Sequence, residues 1–256
     1  MRVDTQSIGL MLDKAAQTAT AVPQFEGDTA FDITAAYAIQ QANIAARLQR
    51  GQRIVGLKMG FTSRAKMLQM GVDDMICGRL TDDMLVEDGG EISFADFVHP
   101  RVEPEIAFLL KRPISGTMTP LQAIDAVEAV APALEIIDSR YQNFKFSLTD
   151  VVADNSSSSA FVVGNWHSPA IDLDNLGMLM SFDGKPEAVG SSAAILGHPA
   201  RSLAAAARLS AEWGLPLEAG SIILAGGATA ASALAPGLHV QLEVQSLGRV
   251  EFKVKD

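Results

Sequence analysis

The sequence predicts an α+β protein, with helices at the front followed by a mixed β body that carries inserted helices. Three observations lead there. Apolar residues recur at helical spacing over residues 5–20 and 32–50, and after Arg53 the period shortens to that of strands. The later strands are irregularly spaced, show no repeat and are not each followed by a helix, so a regular eight-unit barrel fits poorly. The expected organisation is an N-terminal helical region over 1–50 and a mixed β catalytic body over 51–256, integrated as one domain.

Taken in order, Ile8, Leu10, Met11, Leu12 and Ala15 stripe the first helix, and Ile33, Ala36, Tyr37, Ile39, Ile44 and Leu48 the second, which Asp32 can cap and Gly51 can end. Ile54 to Met59 reads as a strand closed by Gly60, Ser63 to Met70 as a short helix, and Gly71 to Asp74 as a turn. Met84 to Val86 is read as strand and Arg101 to Leu110 as the long central strand. Thr119 to Val130 is read as a helix with Pro120 in its first turn, and Ala133 to Asp138 and Phe161 to Gly164 as strands. Met178 to Phe182 meets Asp183-Gly184, a hairpin signal returning along Pro186 to Gly190. A helix over Ser202 to Trp213, a strand over Ser221 to Leu224, and a terminal hairpin of Val240 to Val244 with Val250 to Lys253 complete the chain.

Composition narrows the function. With 30 acids against 20 bases the formal charge is -10, and no Lys/Arg run exceeds two residues, which argues against nucleic acid or an anionic membrane as partner. The only cysteine, Cys77, permits no intrachain disulfide and no thiolate cluster, and is read as a buried small residue. The first twenty residues lack a basic head joined to a continuous apolar core, and no apolar stretch approaches a membrane span, so a soluble cytoplasmic protein is expected. His99, His167, His198 and His239 are scattered, and neither HExxH nor Gly-x-Ser-x-Gly occurs, which disfavours a zinc protease or a serine hydrolase.

Arg101-Val102-Glu103-Pro104-Glu105 is the phrase richest in chemistry. Side chains at i and i+2 of a strand share a face, so Glu103 and Glu105 would point together, and Glu135 in Leu134-Glu135-Ile136-Ile137 is a third acid in apolar surroundings. Three such carboxylates would make an oxygen cage for Mg²⁺ or Mn²⁺. The plainer alternative puts Glu103 and Glu105 on the wet face of an edge strand, paired with Arg101 or Lys111. Lys58 sits between apolar neighbours and two glycines, where it either neutralises a ligand oxygen or is an ordinary exposed lysine. Thr62 and Ser63 suit helix caps. The run Asp154 to Ser159 offers an amide and hydroxyls between two core segments, for ligand binding or for turn chemistry. Ala225-Gly226-Gly227-Ala228-Thr229 could present N–H groups to an anion, without the spacing of a nucleotide loop.

In combination these phrases resemble the hydratase/decarboxylase branch of the fumarylacetoacetate hydrolase superfamily. The set comprises Gly56 to Ser63, Gly71-Val72-Asp73, Arg101 to Phe108, Glu135-Ile136, Ala153-Asp154-Asn155 with its serines, and Ala225 to Thr229, so it covers nearly the whole chain. The resemblance implies the C-terminal-like mixed β fold of that superfamily with N-terminal helices, a Mg²⁺ site (Mn²⁺ as substitute), and 2-oxo or 2-enol acids of meta-cleavage aromatic catabolism as substrates. It assigns Glu103, Glu105 and Glu135 to the metal, Lys58 to catalysis, and Ser157 to the substrate, with Thr62, Asn155 and Thr229 as further substrate-binding candidates. It also implies a homo-oligomer and a complex with the hydratase of the same pathway.

Two activities occur in that branch. Its 2-hydroxypenta-2,4-dienoate hydratases usually carry an acid shortly after the Gly-Val-Asp turn, where this chain has Ile76 within Asp74-Met75-Ile76-Cys77-Gly78. Loss of that acid disfavours water addition, so the resemblance implies decarboxylation of the small dicarboxylate 2-oxo-3-hexenedioate, a carboxy-lyase reaction, with hydration as the alternative. Asp73 and Asp74 stay nearby as candidate proton donors for that alternative.

Overall fold

The computed structural model describes residues 3–63, 67–68 and 74–256. Two N-terminal helices, α1 (Thr5–Gln17) and α2 (Ile33–Gln49), begin at Asp4 and Asp32, whose carboxylates accept from Ser7 N and Ala35 N as the sequence expectation for Asp32 required. They lie against the β body through α2. Gln40, fully buried, donates from its side-chain amide to Cys77 O at 3.0 Å and Val152 O at 2.9 Å, and Tyr37 stacks on Trp213 at 4.0 Å between centroids.

The body is built of two sheets. Its strands are β1 (Ile54–Gly60), β2 (Ile76–Thr81), β3 (Leu85–Val86), β4 (Glu91–Ser93), β5 (Arg101–Leu110), β6 (Val127–Ile137), β7 (Ser158–Val163), β8 (Gly177–Phe182), β9 (Lys185–Ser191), β10 (Ile222–Leu224), β11 (Ser232–Ala233), β12 (His239–Val244) and β13 (Gly248–Lys255). The larger sheet runs β2-β1-β10-β5-β6-β7-β3, with β11 added at the start of β5, and the smaller runs β4-β13-β12-β8-β9. Parallel pairs (β1 with β10, β3 with β7, β4 with β13) sit among antiparallel ones, so the body is a mixed β structure, as expected. Helices α3 (Pro120–Ile124), α4 (Leu148–Ala153) and α5 (Pro199–Glu212) are the insertions. One continuous core joins Leu12 and Ile39 of the helices to Ile106, Ile136 and Val162 of the larger sheet and Met180, Val240 and Phe252 of the smaller.

Several expectations need correction. The helix expected over Thr119 to Val130 stops at Ile124, and β6 begins at Val127. Pairing of Val127 to Ile137 with the whole length of β5 overrides the helical spacing of the alanine-rich stretch. Asp82 to Met84 forms a 3₁₀ turn, leaving only Leu85–Val86 as strand, and β2 was not anticipated at all. Every residue of β2 is buried, so it shows no alternation for a period-based reading to find. The helix expected over 63–70 and the turn at 71–74 fall largely outside the described residues.

Candidate active site

The site grows from strand register. Glu103 on β5 lies directly opposite Glu135 on β6, and Glu105 is two residues further along the same face of β5. Cross-strand and i+2 neighbours thus supply three carboxylates, and one oxygen from each falls within 4.8 Å of the others. The wet-edge alternative is excluded: β5 is central, flanked by β10 and β6, and the three side chains are buried, Glu105 and Glu135 completely.

Lys58 arrives from β1. Its Nζ donates to Ser156 O at 3.0 Å and stands 3.0 Å from Glu135 Oε2, an ion pair off the line of a hydrogen bond. Burial works against the lysine's charge, but the pull of Glu135, Glu103 and Glu105 outweighs it and holds the ammonium above its ordinary range. For Glu105, burial and then repulsion from Glu135 and Glu103 raise the carboxyl well above the usual carboxylate range, and Glu135 is raised by burial against the opposing pull of Lys58. Glu105 Oε2 accepts from Gly226 N at 2.6 Å, whereas Glu105 Oε1 and Glu135 Oε1 meet no hydrogen-bond donor among the described residues. Orphaned oxygens on clustered, buried carboxylates are what a hard divalent cation satisfies, so these donors fit Mg²⁺.

Two glycines make this arrangement possible. Gly226 has φ +100°, and a Cβ there would lie 2.0 Å from Thr62 Oγ1. The glycine-rich phrase was expected to present N–H groups to a bound anion, and the anion it meets is the protein's own Glu105. Gly78 on β2 lacks the side chain that would strike Asn155 O at 2.3 Å, so residues 155–157 can sit over β2 and bring Ser156 O onto Lys58.

That turn is strained. Asn155, Ser156 and Ser157 have φ of 51°, 52° and 59°, three successive left-handed residues, each carrying a cost of roughly 1–2 kcal/mol. The surroundings hold it: the Asn155 side chain accepts from Arg79 N at 2.7 Å and donates to Arg79 O at 2.9 Å, while Ser156 Oγ donates to Cys77 O at 2.8 Å.

A cavity of about 250 Å³ opens beside this cluster, its buried end formed by Lys58, Glu103, Ile76, Ser156 and Ser157. Of the residues expected to bind substrate, Ser157 lines it. Asn155 does not, because both ends of its amide are spent on the backbone of β2. Thr62 is buried against Gly226, and the Thr229 hydroxyl donates to Ala230 O, so neither lines the cavity either. Sequence reasoning missed Phe61, Phe144, Phe146 and Arg101 as cavity residues. The alternating pair Phe144-Lys145-Phe146 was a signal for two of them, and Arg101 shares the i, i+2, i+4 face of Glu103 and Glu105. Asp74 is half-exposed at its carboxylate and paired with Arg208 at 2.6 Å, away from the cavity wall, and Asp73 lies outside the described residues.

Residues 53–255 match the family described as fumarylacetoacetate (FAA) hydrolase C-terminal. The chain is 63% identical over 245 residues to a 4-oxalocrotonate decarboxylase from a Pseudomonas species, covering 96% of each protein. It is 39% identical over 223 residues to a 2-keto-4-pentenoate hydratase from Paraburkholderia xenovorans, covering 85% of this chain and 83% of that one. Its structure is similar to that of the 4-oxalocrotonate decarboxylase from Pseudomonas putida G7 complexed with magnesium and adipate, with a TM-score of 0.95, 38% identity, and coverage of 99% and 98%.

Proposed function

The chain belongs to the fumarylacetoacetate hydrolase C-terminal family, and from that premise we propose that it is a carboxy-lyase: a Mg²⁺-dependent decarboxylase of 2-oxo-3-hexenedioate (4-oxalocrotonate) in meta-cleavage aromatic catabolism. The observation that carries the reading is the triad Glu103, Glu105 and Glu135, buried under a cavity whose closed end also holds Lys58. The magnesium and adipate held by the structural relative support it, since adipate is a six-carbon dicarboxylate like the substrate.

When bound by the three glutamates, the cation supplies positive charge to the 2-oxo acid end of the substrate. The protein's own residues do the rest. The bond to the distal carboxylate breaks, its electron pair runs through the conjugated chain to the 2-oxo oxygen, CO₂ departs, and one proton taken up at that oxygen gives 2-hydroxypenta-2,4-dienoate. Lys58, fixed by Ser156 O, places an ammonium where that oxygen gains charge and can deliver the proton. Ser157 orients the carboxylate next to it. Ile76, Phe61 and Phe146 give the cavity an apolar wall that limits access of water to the reacting chain. Hydration would need a further proton-transfer group in the cavity wall, where the chain has Ile76 and from which Asp74 is turned away to Arg208.

Metal-stripped protein should release CO₂ and form dienoate in equal amounts only after Mg²⁺ is restored. Lys58→Met should lower kcat on the order of 10²- to 10³-fold. Hydration of 2-hydroxypenta-2,4-dienoate without CO₂ release would replace this reading with the hydratase one. Among the described residues no helix is long and apolar enough to cross a membrane. A cytoplasmic homo-oligomer that hands its product to the pathway hydratase, with residues 1–50 and 51–256 integrated as one unit, completes the proposal, and co-sedimentation with that hydratase tests the handover.

A further inference from the structure

Arg101 stands at the more open end of the cavity, on the same face of β5 as Glu103 and Glu105. Its Cζ lies 4.2 Å over the centroid of the Phe144 ring, which is itself braced edge-on by Phe146 at 5.4 Å and His99 at 6.2 Å. Phe144 and Asn143 are both left-handed, at φ 54° and 60°, so the loop is held in an unfavourable conformation that keeps this ring beneath the guanidinium. Among the described residues no carboxylate forms an ion pair with Arg101, whereas Arg47 and Arg140 each have one and buried Arg79 donates instead to Pro216 O. A guanidinium that lines the cavity, is stacked on a ring and has no carboxylate partner among the described residues is prepared for one from a ligand.

Strand geometry fixes what that anion can be. Arg101 is two residues from Glu103, a rise of about 6.6 Å along β5. The cavity thus has a carboxylate-and-lysine end that suits a 2-oxo acid and, several ångströms away, a cation that suits a second carboxylate. We propose that Arg101 binds the distal carboxylate of the substrate and is the residue that selects 2-oxo dicarboxylates over 2-oxo monocarboxylates. This rests on the decarboxylase reading above. It also predicts a kinetic signature: a carboxylate held equally in the ground state and in the transition state, before CO₂ has left, is uniform binding, so loss of the contact raises KM and leaves kcat.

The test uses two inhibitors that differ only in the distal group, 2-oxohexanedioate and 2-oxohexanoate, with the Mg²⁺-loaded protein. Arg101→Gln should weaken 2-oxohexanedioate by ~10- to 100-fold, the range of a charge-assisted pair, and shift 2-oxohexanoate by no more than about twofold. KM for 2-oxo-3-hexenedioate should rise with it while kcat stays within about threefold, and Arg101→Lys should restore part of the preference. Equal weakening of both inhibitors, no weakening of either, or a fall in kcat alone overturns the assignment. Native protein that turns over the dicarboxylate while Arg101→Gln keeps its preference sinks the role of Arg101 and leaves the decarboxylase standing. Native protein that releases no CO₂ and prefers neither inhibitor sinks both.

Discussion

Two buried charge clusters lie a few residues apart and are finished differently. In the first, Arg140 and Asp154 are both buried, and Asp154 takes Arg140 N at 2.9 Å and Arg140 Nε at 2.5 Å, while Arg140 also reaches Asp154 O at 2.7 Å and the Ser159 hydroxyl. In the second, Glu103, Glu105 and Glu135 crowd together with Lys58, and oxygens of Glu105 and Glu135 have no hydrogen-bond donor among the described residues. The protein closes the Arg140 pair with its own groups and leaves oxygens of Glu105 and Glu135 open among the described residues. A closed cluster holds the chain in place, whereas an open one waits for a ligand, and the two should therefore respond in opposite ways to the removal of one charge.

The largest effect is expected at the triad. Glu105→Gln keeps an acceptor for Gly226 N but removes one cation ligand, and CO₂ release should fall on the order of 10³-fold. Without metal the same variant should unfold no earlier than the native protein, because a repelling buried charge has gone. A melting temperature well below the native one, measured in chelator, would erase the distinction between the clusters.

Arg140→Met reverses that pattern. It leaves the Asp154 carboxylate buried and unpaired, and should cost roughly 3–5 kcal/mol in urea unfolding. Since Asp154 begins the turn that carries Ser156 and Ser157, activity should decline only as the folded fraction declines. An activity loss in fully folded protein would show that this pair positions the site rather than merely holding the chain.

The two clusters also differ in how far the sequence revealed them. Glu103 and Glu105 were legible because a period of two is local, and Glu135 because an acid among Leu134, Ile136 and Ile137 is conspicuous. Their pairing, Glu103 opposite Glu135, depends on the β5 and β6 register, which no local spacing specifies. The Arg140–Asp154 pair went unread because neither residue stands in a periodic segment. The left-handed turn at 155–157 was equally hidden: serine seldom adopts that conformation, and only contacts to Arg79, Cys77 and Lys58 impose it here. Asn155 was accordingly assigned to the substrate when its amide in fact ties the turn to β2. Of the fold, α1, α2, α5, the long strand β5 and both late hairpins followed from period and turn residues, whereas α4, a single short turn and a half, was not anticipated. The start of β6 did not, because tertiary pairing decided between helix and strand.

Metal supply sharpens the contrast by a smaller amount. At Mg²⁺ about 100-fold above its dissociation constant, the native protein should gain ~2.7 kcal/mol of stability, and Glu105→Gln little or none. Arg140→Met should gain as much as native, since its triad is intact. Equal gains in all three would mean that Mg²⁺ binds elsewhere.

The smallest effect belongs to the closed cluster and concerns pH. Burial pushes Asp154 up to about 6 from its ordinary 3.8, with Arg140 pulling it back only in part. Between about pH 4 and 6 the native protein therefore retains a proton that the unfolded chain has released, so the contribution of Asp154 to stability falls as pH rises through that window and is level on either side. Asp154→Asn lacks the titration. Its stability, lower overall because an amide meets Arg140 N and Nε less well than the carboxyl group does, should close part of the gap to the native protein as pH goes from 4 to 6 in chelator. Parallel unfolding free energies across that range would place the folded value of Asp154 near that of an ordinary carboxylate, and would mean that the charge of Arg140 and its two hydrogen bonds to that carboxylate compensate burial fully. The closed cluster would then be complete electrostatically as well as in its hydrogen bonds, which widens its distance from the open one.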